Sequence, residues 1–535
     1  MPTDCISYQN SGYFSPLMKD YLNQKNELHS LYHRFPTLGN FEQQIEEKKI
    51  NFNDNFNGIE KRKVLVTVLE KQYANYTVTN ETLDNIKLLN NPNTFTITTG
   101  HQLNLFSGPL YFLYKIISTI NLTKELKAKY PNYNFVPVYW MATEDHDFEE
   151  INYFNFNGKK FRWNKESKGP VGRLSTEGLA EFLEIYALEI GSSTNANTVK
   201  KLFEDSYIQH DNLADATRYL ANALFGVSGL VILDADNRDL KRNFIPYAKE
   251  ELLHQTSFKA VTETIEKIKD YTIQVNPREI NLFYIEDNLR ERIVLENGIY
   301  KVNHTQIQFT ETEILALLES NPEKFSPNVI MRPLYQEVIL PNLCYIGGGG
   351  EIAYWLELKS FFDAVKVTFP ILLLRNSVLL TTEKQNKKAD KLNLTWTDLF
   401  SKQALLINKI TQKLSDYPID LTEQKEALRK QFKTLLELAN HTDKSFLGAV
   451  KAQEVKQTKG LENLEKRLLI AQKRKFQDEL QRIIDLQNEL FPNQSLQERQ
   501  ANFSEFYLEN GERLIPQLMN QLNPLEHNFN IIKLY

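Results

Sequence analysis

Thr94-Phe95-Thr96-Ile97-Thr98-Thr99-Gly100-His101-Gln102-Leu103-Asn104-Leu105-Phe106-Ser107-Gly108-Pro109-Leu110-Tyr111 is the stretch on which the architecture turns. Its β-branched start reads as a strand, its glycine-bearing middle as a loop, and the apolar run beyond Leu110 as a helix. In an open α/β sheet such a junction lies at the carboxyl end of a strand, where ligands bind. Ser107 is expected as the helix N-cap and Pro109 in the first turn. Backbone N–H groups of Gly100, Ser107 and Gly108 would then favour an anion. His101 follows Gly100 and should face the mouth of the loop, against a phosphate or an activated carboxyl. The equal alternative is a ring tied to the loop backbone. The segment lacks the Gly-Lys-Ser/Thr of a P-loop and the three spaced glycines of a dinucleotide fingerprint.

Working outward, four more apolar strands are expected: Phe135–Met141, Gly229–Leu233, Leu343–Ile346 and Ile371–Leu374. Near-continuous apolar strands alternating with helices (Leu110–Lys129, Asp239–Leu253, Ile352–Phe362) predict an α/β, Rossmann-like, doubly wound parallel sheet. Asn157-Gly158 and Asn297-Gly298 mark hairpin turns. The expected order is an N-terminal helical part of the core (1–90), the first part of the Rossmann-like core (91–270), an inserted subdomain (271–328), the second part of the core (329–381), a coiled-coil arm (382–491) and a return to the core (492–535). In the arm, Leu399, Leu406, Ile410 and Leu414 mark one helix and Leu421, Leu428, Phe432 and Leu435 another. Leu461, Leu464, Leu468 and Ala471 continue an apolar seam that breaks near Lys475. Residues Phe529 to Leu534 read as a last strand.

The chain has 535 residues, 41% hydrophobic and 24% charged, with a net charge of −5. No global basic field exists to hold nucleic acid or an anionic membrane. Two cysteines far apart, Cys5 and Cys344, exclude a disulfide framework and fit a reducing, cytoplasmic compartment. No zinc motif is present, and no leader or membrane span is expected.

Chemistry-bearing residues gather at strand ends. Thr143-Glu144-Asp145-His146-Asp147 closes the second strand. There Asp145 or Asp147 would orient His146 and raise its pKa for general-base work, bind a divalent cation or hold a substrate amine. A solvated acidic helix start is the bland reading, and it suits Glu149 and Glu150 better. Arg332 suits a bidentate carboxylate. The Gly347–Gly350 loop allows close approach to a ligand and frees N–H groups at a helix start, with Glu351 either accepting an amine or serving the helix dipole. Arg375-Asn376-Ser377 breaks an apolar run at the ligand edge; a structural salt bridge is the alternative for Arg375. Cys344 reads as a buried, inert thiol.

Taken together, Thr99-Gly100-His101-Gln102, Ser107–Tyr111, Glu144–Phe148, Arg332-Pro333-Leu334-Tyr335-Gln336-Glu337, Leu340-Pro341-Asn342, Tyr345–Gly348, Gly350–Trp355 and Arg375-Asn376-Ser377 resemble the bacillithiol synthase family of cysteine-adding ligases. The resemblance implies a Rossmann-like core with a connecting-peptide subdomain, similar to class I aminoacyl-tRNA synthetases, and a homodimer built through the coiled-coil arm. It implies amide formation between L-cysteine and glucosaminyl-malate, with ATP activating the carboxyl and Mg2+ as a candidate companion. His146, Asp145, Asp147 and His101 are the catalytic candidates on this reading. Gln102, Asn104, Arg332, Gln336, Glu337, Glu351, Tyr354, Arg375 and Asn376 are the substrate-binding candidates. Gly100, Ser107, Gly108, Gly347, Gly348 and Gly350 are the candidates for the nucleotide or its phosphates. Relatives often carry Gln in place of His101 and Pro in place of Gly349. An RNA-binding or tRNA-modifying protein with a synthetase-like core is the competing expectation.

Overall fold

A computed structural model describes residues 4–55 and 58–534; residues 1–3, 56–57 and 535, within the parts expected as 1–90 and 492–535, lie outside it. Its central sheet contains the five expected strands: β1 (Thr94–His101), β2 (Asn134–Met141), β3 (Val231–Asp234), β4 (Asn342–Gly347) and β5 (Ile371–Leu374). They lie in the order β5-β4-β1-β2-β3 and all pair parallel. This is the Rossmann order, and the chain reverses its direction of travel between β1 and β4. The crevice beyond the carboxyl ends of those two strands is the place for a ligand.

Buried apolar side chains cover the sheet as its composition requires. Phe95 and Ile97 of β1, Leu343 and Ile346 of β4, and Ile371 and Leu373 of β5 pack with Leu122 and Leu126 of helix α1 (Tyr111–Lys129). Phe41 and Ile45, from the helix Asn40–Lys48, join the same cluster. Cys344 is buried there as well, and burial pushes its thiol pKa far up, so it stays protonated and inert.

The two Asn-Gly turns form hairpins, with Asn157, Gly158, Asn297 and Gly298 all at positive φ. The second lies in a five-stranded antiparallel sheet spanning Leu282–Pro327, inserted between β3 and β4. β5 ends at Leu374 as expected; beyond Arg375-Asn376 a further strand, Ser377–Thr381, enters a separate sheet beside Asn528–Lys533 and Asp4–Ser7. One expectation here is corrected. Ser107 does not cap the helix, which starts at Tyr111 with no side-chain cap. Phe106 and Ser107 instead take positive φ, because Phe106 is drawn into a cluster of Phe154, Phe203 and Phe503.

Residues 1–380 and 496–535 form one compact unit and residues 381–495 another. The second consists of helices, among them Thr422–Ala439 and Lys444–Lys475. Phe432, Ala439 and Val450 are their buried contact, with Leu428, Leu436 and Leu447 packed around it. Lys425 pairs with Glu465 at 2.5 Å, tying the two helices together. The break near Lys475 is a helix end at Phe476. Leu435 and Leu464 do not belong to this seam; they are 41% and 56% exposed. The contact runs through Leu428, Phe432, Leu436 and Ala439, which turns Leu435 outward. Among the described residues no helix is long and apolar enough to cross a membrane.

Candidate functional site

A cavity of about 650 Å³ opens beyond the carboxyl ends of β1, β2 and β4. Gly100, His101 and Gln102 from the end of β1 line it, with Glu144, Asp145 and His146 following β2. Arg332 comes from helix α2 (Met331–Ile339), and Glu351 and Tyr354 from helix α3 (Gly349–Leu356). The antiparallel insert closes the far side with Arg278, Phe283, Arg290 and Arg292.

Lys115 of α1 spans the switch point. Its Nζ donates to the Gly100 carbonyl and lies 2.5 Å from Glu351 Oε1. The other Glu351 oxygen accepts from the Gly348 N–H at 2.7 Å. Burial holds the Lys115 pKa below its ordinary value, although Glu351 opposes the shift.

Arg332 is different in kind. It is half-buried, its guanidinium lies 5.9 Å from the Trp140 ring centre and 5.7 Å from that of Tyr345, and it donates to Gln336 Oε1 and the Tyr354 hydroxyl. Among the described residues, no carboxylate lies within ion-pair distance of it. A partly buried cation with no carboxylate in ion-pair distance is suited to an anionic ligand.

His146 lies close to Arg290. Arg290 Nη1 donates to His146 Nδ1 at 2.7 Å, while its other nitrogens donate to Ser326 Oγ and the Pro327 carbonyl. Phe283 packs on both groups. With Nδ1 accepting, the neutral ring carries its proton on Nε2. The expectation that a neighbouring carboxylate raises the His146 pKa is therefore corrected. Burial lowers it and Arg290 lowers it further, outweighing Asp145 and Asp147. Replacing Arg290 by Met should move the His146 titration midpoint upward, read from its Cε1–H resonance; an unmoved midpoint would contradict this electrostatic assignment.

Asp145 accepts from Gln102 Nε2 at 2.9 Å and from the backbone N–H groups of His146 and Asp147. Glu144 faces Lys241, which is shared with Asp236. His101 is buried, its pKa held well down by burial and by Lys115, and it is tied to the Ser107 backbone.

Other candidates fall elsewhere. Asp147 is exposed and caps nothing. Asn104 lines a neighbouring, smaller cavity. Gln336 and Glu337 are buried outside the cavity, where Glu337 pairs with Lys48 at 3.0 Å and accepts from Asn342 and Gln336. Gln336 thus reaches the site only through Arg332. Arg375 is paired with Glu498 at 2.7 Å, both buried, and Asn376 is bonded to Ser118 and to the Asn523 carbonyl. Ser107, Gly108, Gly347, Gly348 and Gly350 do not line the cavity. The Gly108 N–H is used on the Leu105 carbonyl and the Gly348 N–H on Glu351, so neither is free for a phosphate. Sequence reading missed Lys115, Trp140, Tyr345 and the arginines of the insert. The one available signal was the i, i+2 spacing of Arg290 and Arg292, which puts both on one face of a strand.

Comparison with known proteins agrees with this architecture. Residues 1–376 match the family model for the N-terminal Rossmann-like domain of bacillithiol biosynthesis BshC, and residues 378–534 match its C-terminal coiled-coil domain. The chain belongs to the BshC family. A Flavobacterium johnsoniae member is 75% identical over 99% of this chain and 100% of its own length. One from Christiangramia forsetii is 59% identical over 99% of both. One from Bacillus cereus is 27% identical over 97% of this chain and 98% of its own. All three bear the name "Putative cysteine ligase BshC". The first family domain covers the parallel sheet and its insert; the second covers the long helices together with residues 496–534, which belong to the compact unit of the sheet.

Proposed function

We propose that the chain is a carbon–nitrogen ligase that joins the carboxyl of L-cysteine to the amine of glucosaminyl-malate at the switch-point cavity, forming bacillithiol. The observation that carries this reading is Arg332, half-buried and with no carboxylate of the described residues in ion-pair distance, facing the same space as Arg278, Arg290 and Arg292. A substrate bearing two carboxylates matches such a wall. Opposite it, Asp145 is placed to take a proton from the attacking ammonium, and His146 offers its Nε2–H to the reacting carboxyl oxygen. Forming an amide from a free carboxylate is uphill in water, so the carboxyl is assigned activation by ATP, with Mg2+ as counter-ion. The exposed Leu435, Leu438, Val455 and Leu464 of the helical arm support a homodimer through it. The RNA-binding alternative gains no support from the family or from the net charge.

The test combines purified protein with L-cysteine and glucosaminyl-malate, with and without Mg-ATP, and follows products by mass spectrometry. Bacillithiol should form only when ATP is present. The His146→Ala chain should fold normally and lose turnover; wild-type rates in that variant would remove His146 from the mechanism.

A further inference from the structure

Beside the main cavity lies a second of about 320 Å³. The two share Gln102 and Tyr111 as a common wall. Gln102 Nε2 reaches both ways, donating to Asp145 on one side and to Glu150 on the other, each at 2.9 Å. We propose that this chamber is the amino-acid subsite, holding cysteine as a zwitterion against Glu150 and Arg499. The proposal rests on the ligase reading above and deepens it.

Charge separates the two spaces. The main cavity is lined by four arginines, while two of its three carboxylates, Glu144 and Glu351, are already matched by Lys241 and Lys115. That surplus suits a dianion. The smaller chamber is lined by one carboxylate, Glu150, and one guanidinium, Arg499, and so balances a molecule carrying one charge of each sign. Among the described residues, Arg499 has no carboxylate within ion-pair distance. Asn104 lines the chamber, is more than nine-tenths buried, and leaves its Oδ1 without a hydrogen-bond partner. Phe154, Tyr153 and Pro109 supply an apolar surface of the kind a thiol favours. A substrate in each space would meet its partner at the Gln102–Tyr111 wall, as an amide-forming reaction requires.

The chamber is built rather than incidental. Arg499 sits on the short helix Gln497–Gln500, held on one side by Glu498 on Arg375 and by Gln497 on Leu380. On the other side, Asn502 Nδ2 donates to the Phe106 and Gly108 carbonyls, and the Leu110 N–H donates to Ala501. Gly108 has φ +61°, and a Cβ there would stand 2.6 Å from Asn104 Cβ, so only glycine leaves Asn104 in place.

The test is calorimetric titration of L-cysteine alone into the full chain, together with KM for each substrate. Glu150→Gln and Arg499→Met should each weaken cysteine binding about ten- to a hundredfold and raise the cysteine KM alike, leaving the glucosaminyl-malate KM within about twofold. Arg332→Met should show the opposite split. No cysteine binding to the wild type, binding indifferent to both chamber variants, or equal shifts in the two KM values would overturn the proposal. A chain that binds cysteine through Glu150 and Arg499 yet makes no amide would sink the ligase reading and leave the chamber standing. Amide formation with a cysteine KM untouched by either change would do the reverse.

Discussion

Arg332→Met should lower kcat/KM for glucosaminyl-malate by roughly thirtyfold to several thousandfold while the fold survives. The size follows from the cost of truncating one member of a hydrogen-bonded charge pair that a bound substrate would cover, about 2–5 kcal/mol, at about 1.4 kcal/mol per tenfold. Survival of the fold follows from the partners. Arg332 donates only to neutral groups, Gln336 and Tyr354, and no protein carboxylate is stranded when it goes. A methionine fills most of the space between Trp140 and Tyr345. Arg332→Lys should rescue little, because an ammonium cannot form the planar fork between two rings. Steady-state kinetics beside a thermal melt separates the two effects. A large drop in melting temperature, or unchanged kinetics, would contradict the assignment of Arg332 as a ligand group.

Arg375→Met should do the opposite. Arg375 and Glu498 are 4% and 1% exposed in their side chains and 2.7 Å apart. Removing the cation leaves a buried carboxylate alone, a loss of about 3–5 kcal/mol. Denaturant unfolding of the chain should show it, and the double variant Arg375→Met/Glu498→Gln should recover most of it, since no charge then remains to be buried. If the single and double variants were equally unstable, the pair would not be the cause. Val378 N–H also donates to Glu498, an acceptor role that glutamine keeps.

These two arginines show where sequence reading succeeds and stops. Both were candidates for a carboxylate ligand, and no local pattern distinguishes them. The partner of Arg375 lies across the whole helical arm, at Glu498, and the partner of Glu337 is Lys48, so such long-range pairings are invisible in a single chain. The five parallel strands were legible because strands buried on both faces must be apolar throughout, and the Asn-Gly hairpins because left-handed turns demand those residues. The strand Ser377–Thr381 beyond the Arg375-Asn376 break went unread, since both sheets ask for the same side chains. Ser107 was misread as a cap because its backbone obeys the burial of Phe106, a tertiary demand that overrides local propensity. The arginines of the insert were unreadable as site residues: alternation along a strand says that two side chains share a face, not what that face looks upon.

The sheet that joins Asp4–Ser7 to Asn528–Lys533 has a consequence for how the molecule is made. A chain emerging from the ribosome finishes its parallel strands early, then must synthesise the entire helical arm before the second half of its body exists. Until then the first strand has nothing to pair with, Arg375 lacks its counter-charge, and Arg499 is not yet present. Such late, distant closures are slow steps in folding. On the proposed chamber, a message cut short in the arm should therefore yield a product that lacks Arg499 and the counter-charge of Arg375.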